Sequence, residues 1–199
     1  MKGVTISGTQ NGNGTGVVIN GGSAWVEACQ IVNNVGGGIF LDNGGGLSVT
    51  NSTVGGDLNS IDAIEVADGS ATILYSTLFG GGDFGGGATA LRCMDGTDVT
   101  VRNSLLVATA AGDEIICEGA QIEDNALEMS IPNNVQIGPI EDYSWFIDAP
   151  NGDFHLSGTH PDAINTAATW QPGDPSTDID GDPRPSEAGA ADVAGADIP

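Results

Sequence analysis

The chain has 199 residues, 32 of them glycine, and carries 27 acidic against 4 basic side chains, a formal net charge of −23. That charge excludes nucleic acid and anionic membrane surfaces as partners, because both are bound through clustered Lys and Arg. No apolar run reaches the ~20 residues that a membrane helix needs, and the length suits one ordinary domain.

Met1-Lys2-Gly3-Val4-Thr5 leads straight into a strand-like pattern, with no signal-peptide pattern before it. The chain starts inside its repeat, with a partial coil at Val4 and Ile6, which is expected of a piece of a longer protein. From residue 17 one phrase recurs, in which alternate apolar residues precede a Gly-containing turn. It reads Val17-Val18-Ile19, Ile39-Phe40-Leu41, Ile64-Glu65-Val66, Leu91-Arg92-Cys93 and Ile115-Ile116-Cys117, at steps of 22, 25, 27 and 24 residues. A second phrase follows each first one: Val26 to Cys29 to Ile31, Val49 to Ser52 to Val54, Ile73 to Ser76 to Leu78, Val101 to Ser104 to Leu106, and Ile122 to Asn125 to Leu127.

Apolar residues at period 2 in short β-branched runs are strands with one buried face, and Gly and Asn between them make the corners. One coil cannot bury its apolar side alone, whereas coils stacked at about 4.8 Å build a continuous core. The fold predicted is all-β, a right-handed parallel β-helix of about five coils over residues 1–131. An antiparallel sandwich would not make corresponding positions match coil after coil.

This register makes local predictions. Ser52, Ser76 and Ser104, with Cys29 and Asn125, form one inward column bonded to corner backbone or to one another. Cys93 and Cys117 are neighbours in adjacent coils and are expected as a buried thiol pair, a disulfide depending on their Cβ directions. Arg92 falls beside Glu65 and Arg102 beside Glu123, as exposed cross-strand ion pairs. Thr50, Thr72 and Thr100 form a short column, without the regular paired threonines an ice-binding face needs.

After residue 131 the repeat gives way to aromatics and prolines, and residues 132–199 read as a capping segment on the same domain. Trp145, Phe146, Phe154 and Leu156 are its candidate plug over the last coil, since an open β-helix end exposes strand edges and apolar core. Here Asn151-Gly152-Asp153-Phe154-His155-Leu156, Ser157-Gly158-Thr159-His160-Pro161-Asp162-Ala163-Ile164-Asn165 and Thr177-Asp178-Ile179-Asp180-Gly181-Asp182-Pro183-Arg184-Pro185 carry a resemblance. They are similar to the C-terminal end of bacterial secreted right-handed β-helix proteins, including those with a choice-of-anchor Q region. Asn51-Ser52-Thr53-Val54-Gly55-Gly56 resembles the coil signature of that family. His160 stands where the family has Ser, Asn165 where it has Asp, and the acidic-aromatic ending is missing. The resemblance implies secretion or surface attachment and a fold used for polysaccharide binding or cleavage. It implies a structural role for His155 and His160, and it fixes no activity.

Asp174, Asp178, Asp180 and Asp182 form the densest carboxylate cluster, and Asp178-x-Asp180-Gly181-Asp182 has the spacing of a calcium loop. Ca²⁺ is the one cofactor the sequence suggests. The competing use of these aspartates is to accept hydrogen bonds from turn backbone and from Arg184. Trp25 and Phe40 point outward from early coils, where a flat aromatic can stack on a sugar, or can pack on further coils. A lyase needs an Arg or Lys base, and Lys2, Arg92, Arg102 and Arg184 are all there are. A hydrolase needs two carboxylates across a groove, and no motif singles out a pair among Asp42, Glu65, Asp68, Asp95 and Glu118. The expected function is a non-catalytic extracellular or cell-surface module for adhesion or glycan binding. A polysaccharide lyase or glycoside hydrolase, and a structural stalk and cap, are the alternatives.

Overall fold

A computed structural model describes residues 1–8, 14–56, 62–81, 88–108, 113–140 and 143–199. The chain winds as a parallel β-solenoid with three sheets. The first contains Val17–Asn20, Ile39–Asp42, Ile64–Val66, Leu91–Cys93 and Ile115–Ile116. The second contains Ser23–Glu27, Gly45–Thr50, Gly69–Leu74, Asp98–Arg102 and Gln121–Glu123. The third contains Thr5–Ser7, Gln30–Asn34, Thr53–Gly56, Thr77–Gly80, Leu105–Ala108, Ala126–Leu127 and Val135–Gln136. No helix among the described residues is long and apolar enough to cross a membrane.

The predicted inward columns hold strand by strand. Ile39, Ile64, Leu91 and Ile115 stack in the first sheet, Val26, Val49, Ile73, Val101 and Ile122 in the second, and Ile31, Val54, Leu78, Leu106 and Leu127 in the third. These columns converge on one dry core. Because side chains alternate across a strand, a one-residue slip would turn every column out to solvent, and this penalty fixes the register.

The corner between the second and third sheets is a side-chain ladder. The backbone N–H groups of Cys29, Ser52, Ser76 and Ser104 donate to the side-chain oxygens of Ser52, Ser76, Ser104 and Asn125 in the next coil. The serine hydroxyls in turn donate to the carbonyls of Thr50, Leu74 and Arg102, two residues back. Each buried corner is thereby satisfied by the coil above it, which is why a small polar residue recurs there. The residue before each rung is left-handed: Ala28, Asn51, Tyr75, Asn103 and Asp124. Asn and Asp tolerate this conformation; Tyr75 does so at a cost.

Three details depart from the sequence reading. Cys93 and Cys117 are joined in a disulfide, with Cα atoms 4.5 Å apart, rather than standing as two thiols. In-register stacking brings the Cβ atoms of adjacent coils within bridging distance. Thr50 is not in a column with Thr72 and Thr100. Thr72 aligns with Ser48 and Thr100, whereas Thr50 aligns with Leu74, because Val49 and Ile73 share the inward column and Thr50 follows Val49 while Thr72 precedes Ile73.

The third difference is where the C-terminal segment lies. Residues 143–199 run along the flank of the solenoid, against the outer face of the third sheet. Phe146, Phe154 and Leu156 are buried there with Val32, Tyr75, Phe79, Leu105 and Val107, and Trp145 packs at the margin. The four expected plug residues therefore stay together, but over the side of several coils. Outward-facing Val32, Phe79, Leu105 and Val107 make this face too apolar to leave in water, and the segment, termed the strap below, covers it. Gly55 has no side chain because the Phe154 ring occupies that space, and Gly195, at φ +114°, passes against Thr77 and Leu105.

Candidate functional site

Each of the four basic side chains has an acidic partner; for Arg92 and Arg102 it is not the one the register suggested, and for Arg184 it is not the aspartate cluster. Arg92 lies beside Glu65 on the sheet, yet its guanidinium bonds Asp62, whose carboxylate also accepts the backbone N–H and hydroxyl of Thr89. Arg102 lies beside Glu123 but pairs with Asp174 of the strap. Arg184 pairs with Asp192, not with the 174–182 aspartates, and donates to the carbonyls of Val193 and Gly195 while its guanidinium sits 4.1 Å over the Tyr75 ring. A sheet neighbour in solvent offers little to a long cation, whereas a less exposed carboxylate reached from a loop offers fixed, better-desolvated bonds. Lys2 completes the set with Glu27 at the surface.

The four aspartates proposed for calcium do not converge. Asp174 is engaged by Arg102, by Asn103 Nδ2 and by the Gln171 N–H. Asp178 is buried; one of its oxygens accepts the N–H groups of Asp180, Gly181 and Asp182, and the other accepts that of Ile198. Asp180 and Asp182 are exposed. The spacing that resembles a calcium loop serves here as a carboxylate-anchored turn.

A different grouping forms in the strap. His155, Asp180 and Asp197 place one potential ligand atom each within 4.8 Å of one another. Asp153 Oδ1 lies 2.5 Å from His155 Nδ1. Burial disfavours the charged imidazole, but Asp153, Asp180 and Asp197 outweigh it and the His155 pKa is raised. Burial also raises the pKa of Asp197, against the opposing pull of the Leu156 N–H. His160, in contrast, is held by the Ser157 carbonyl and Asn165 within a turn, as the structural reading expected.

Two further acids were missed in the sequence. Glu114 is buried and accepts the Met129 N–H, and Glu128 accepts those of Ala108 and Ile140. Burial lifts the Glu128 pKa to about 7, against those two hydrogen bonds, with Glu114 adding to the rise. Both Glu128 oxygens are committed to backbone, so this carboxyl fastens the last coil. Only the depth of the surrounding core, which sequence does not show, marks these two among 27 acids.

Trp25 and Phe40 lie on different sheets and do not form one platform. Phe40 is half-buried on the first, between Val18 and Glu65. Trp25 is 68% exposed on the second, at the head of the row Trp25, Ser48, Thr72, Thr100, Gln121. Alongside runs a second row, Ser23, Gly46, Ser70 and Asp98. The result is a flat, hydroxyl-rich strip with hydrogen-bonding groups every ~4.8 Å and one bare indole. A shallow depression of about 180 Å³ beside the indole is lined by Ser23, Gly46, Ser48 and Ser70. Comparisons with protein-family models, with curated proteins and with solved structures found no match.

Proposed function

We propose that the chain is a non-catalytic, extracellular carbohydrate-binding solenoid, with the strip headed by Trp25 as its binding face and a neutral glycan as its ligand. The observation that carries this reading is the exposure of Trp25 on a flat sheet beside rows of hydroxyls. Leaving so large a ring in water is unfavourable, at about 25 cal/mol per Å² of apolar area, and an indole face is a good surface for a sugar ring. The hydroxyl and amide groups of Ser48, Ser70, Thr72 and Gln121 can exchange hydrogen bonds with sugar hydroxyls. A surface with net charge −23 repels acidic polysaccharides, so the ligand is taken as neutral.

The disulfide supports an oxidising compartment, and the resemblance of residues 151–185 to secreted β-helix proteins supports the same location. The engagement of every Arg and Lys in an ion pair weighs against a lyase base, and the backbone bonds on Glu128 weigh against its use as a glycosidase acid. Isothermal calorimetry against a panel of neutral plant and microbial polysaccharides tests the reading. A bound glycan is expected whose affinity falls by about 10-fold or more in Trp25→Ala, the scale of one lost stacking contact. Absence of binding across the panel, or binding indifferent to Trp25→Ala, would overturn it. Release of reducing or unsaturated ends would move the function to the enzymatic alternatives.

A further inference from the structure

We propose that His155, Asp180 and Asp197 bind one divalent transition-metal ion of the zinc class, with Asp153 as the positioning carboxylate behind the histidine. The site is separate from the Trp25 strip and does not depend on that reading.

The histidine is arranged as a ligand. Asp153 holds Nδ1 at 2.5 Å, which places the proton on that nitrogen and leaves the Nε2 lone pair outward. A carboxylate behind a histidine is the usual second layer of a metal-bound imidazole. Nε2 itself is shut off from solvent and makes no hydrogen bond; Asp180 Oδ2 lies 3.0 Å away but out of hydrogen-bonding alignment. A cation held between this nitrogen and the Asp180 carboxylate would satisfy both groups without a hydrogen bond between them.

The carboxylates add an independent argument from charge. Asp197 is buried, and one of its oxygens accepts the Leu156 N–H, which orients the group and leaves the other oxygen available. Asp178 and Asp180 repel it, and His155 is the one basic side chain beside it. Every Lys and Arg of the chain is committed elsewhere. Four carboxylates around one imidazole are left short of positive charge, and a dication supplies it. Asp180 is exposed and can turn inward to close the ligand set. Asp180 also borders a cleft of about 220 Å³ with Thr5, Gln30 and Ile179, so its edge of the cluster is open to solvent.

A nitrogen with two carboxylates suits Zn²⁺, Mn²⁺ or Co²⁺; Ca²⁺ takes oxygen ligands and more of them. Once bound, the ion would tie together three parts of the strap: the strand Asp153–Leu156, the Asp178 turn and the C-terminal residues. The rival arrangement is a protonated His155 shared between Asp153 and Asp180 with no metal.

Titration of the EDTA-treated full chain with Zn²⁺ near neutral pH, by calorimetry and elemental analysis, distinguishes them, with Co²⁺ absorption reporting the ligand geometry. One ion per chain is expected. His155→Asn and Asp180→Asn should each weaken binding more than about 100-fold, and Asp153→Asn by about 10- to 100-fold at unchanged stoichiometry. Asp182→Asn, in the same turn but outside the cluster, should leave binding unchanged, and Ca²⁺ should not compete at equal concentration. Because Asp180 is exposed, Asp180→Asn leaves the fold intact and keeps the test clean. The proposal fails if wild-type protein takes up no stoichiometric Zn²⁺, if uptake survives Asp180→Asn or His155→Asn, or if Ca²⁺ binds equally well.

Discussion

Leu78 and Phe79 are adjacent on one strand, yet they belong to different cores. Leu78 points into the solenoid, where Val54 and Leu106 flank it from neighbouring coils, while Phe79 points out into the strap, where it meets the rings of Tyr143, Phe146 and Phe154. The inner core is built by repetition: one column position, one kind of side chain, coil after coil. The outer core is built from single contacts, aromatic ring against ring, Arg184 over Tyr75, Arg102 on Asp174 and Asn103 on Thr169. Repetition fixes register through many weak, identical terms, whereas the strap is held by a few terms that occur once. The third sheet needs both, because large apolar side chains point from each of its faces.

The sharpest way to separate the two cores is to cut each at this pair. Phe79→Ala and Leu78→Ala should each destabilise by about 4 kcal/mol, the usual scale for a buried large side chain. Their hydrogen-exchange patterns should differ. Phe79→Ala should expose amides of residues 153–156 and 192–196 first and leave the coil ladders protected, whereas Leu78→Ala should lower protection in the coils themselves. Equal loss in both regions would mean that stack and strap unfold as one unit.

The disulfide belongs to the stack alone. Replacing Cys93 and Cys117 by Ser should cost about 3 kcal/mol, the entropic value for a crosslink spanning 24 residues. Denaturant melts would measure the loss, and strap exchange rates should stay as in the parent if the two cores are independent.

The smallest expected effect lies at the junction, where Glu128 holds Ala108 of the stack and Ile140 leading to the strap. Its carboxyl pKa is raised from 4.5 to about 7, so between those values the folded chain keeps a proton that the unfolded chain has lost. Stability therefore falls as pH rises through that window, and the raised values of Glu65, Glu114 and Asp124 act with the same sign. Urea melts should show the protein more stable at pH 5 than at pH 7.5, by about 2 kcal/mol from Glu128 after discounting for its partial exposure. Glu128→Gln should flatten that slope.

Much of the solenoid was legible in the order of residues. Alternation at period 2 gave the strands, repetition at 22 to 27 residues gave the stacking, and the Ser52, Ser76, Ser104 column emerged with its backbone partners. These are local or repeated constraints, and a one-residue error in any of them would reverse a buried face. Partners reached from outside the repeat were hidden. Arg92 chose Asp62 over Glu65, and Arg102 chose Asp174, 72 residues away, over its sheet neighbour. The aspartate spacing suggested one ion site, but backbone donors took up Asp178, and the grouping that did form joins residues 155, 180 and 197. Sequence by itself determined which residues face inward along each coil, because burial recurs with the repeat. Only the tertiary structure decided what covers the outer face and which charges meet there, because the strap has no period and each of its contacts depends on where a long segment comes to rest.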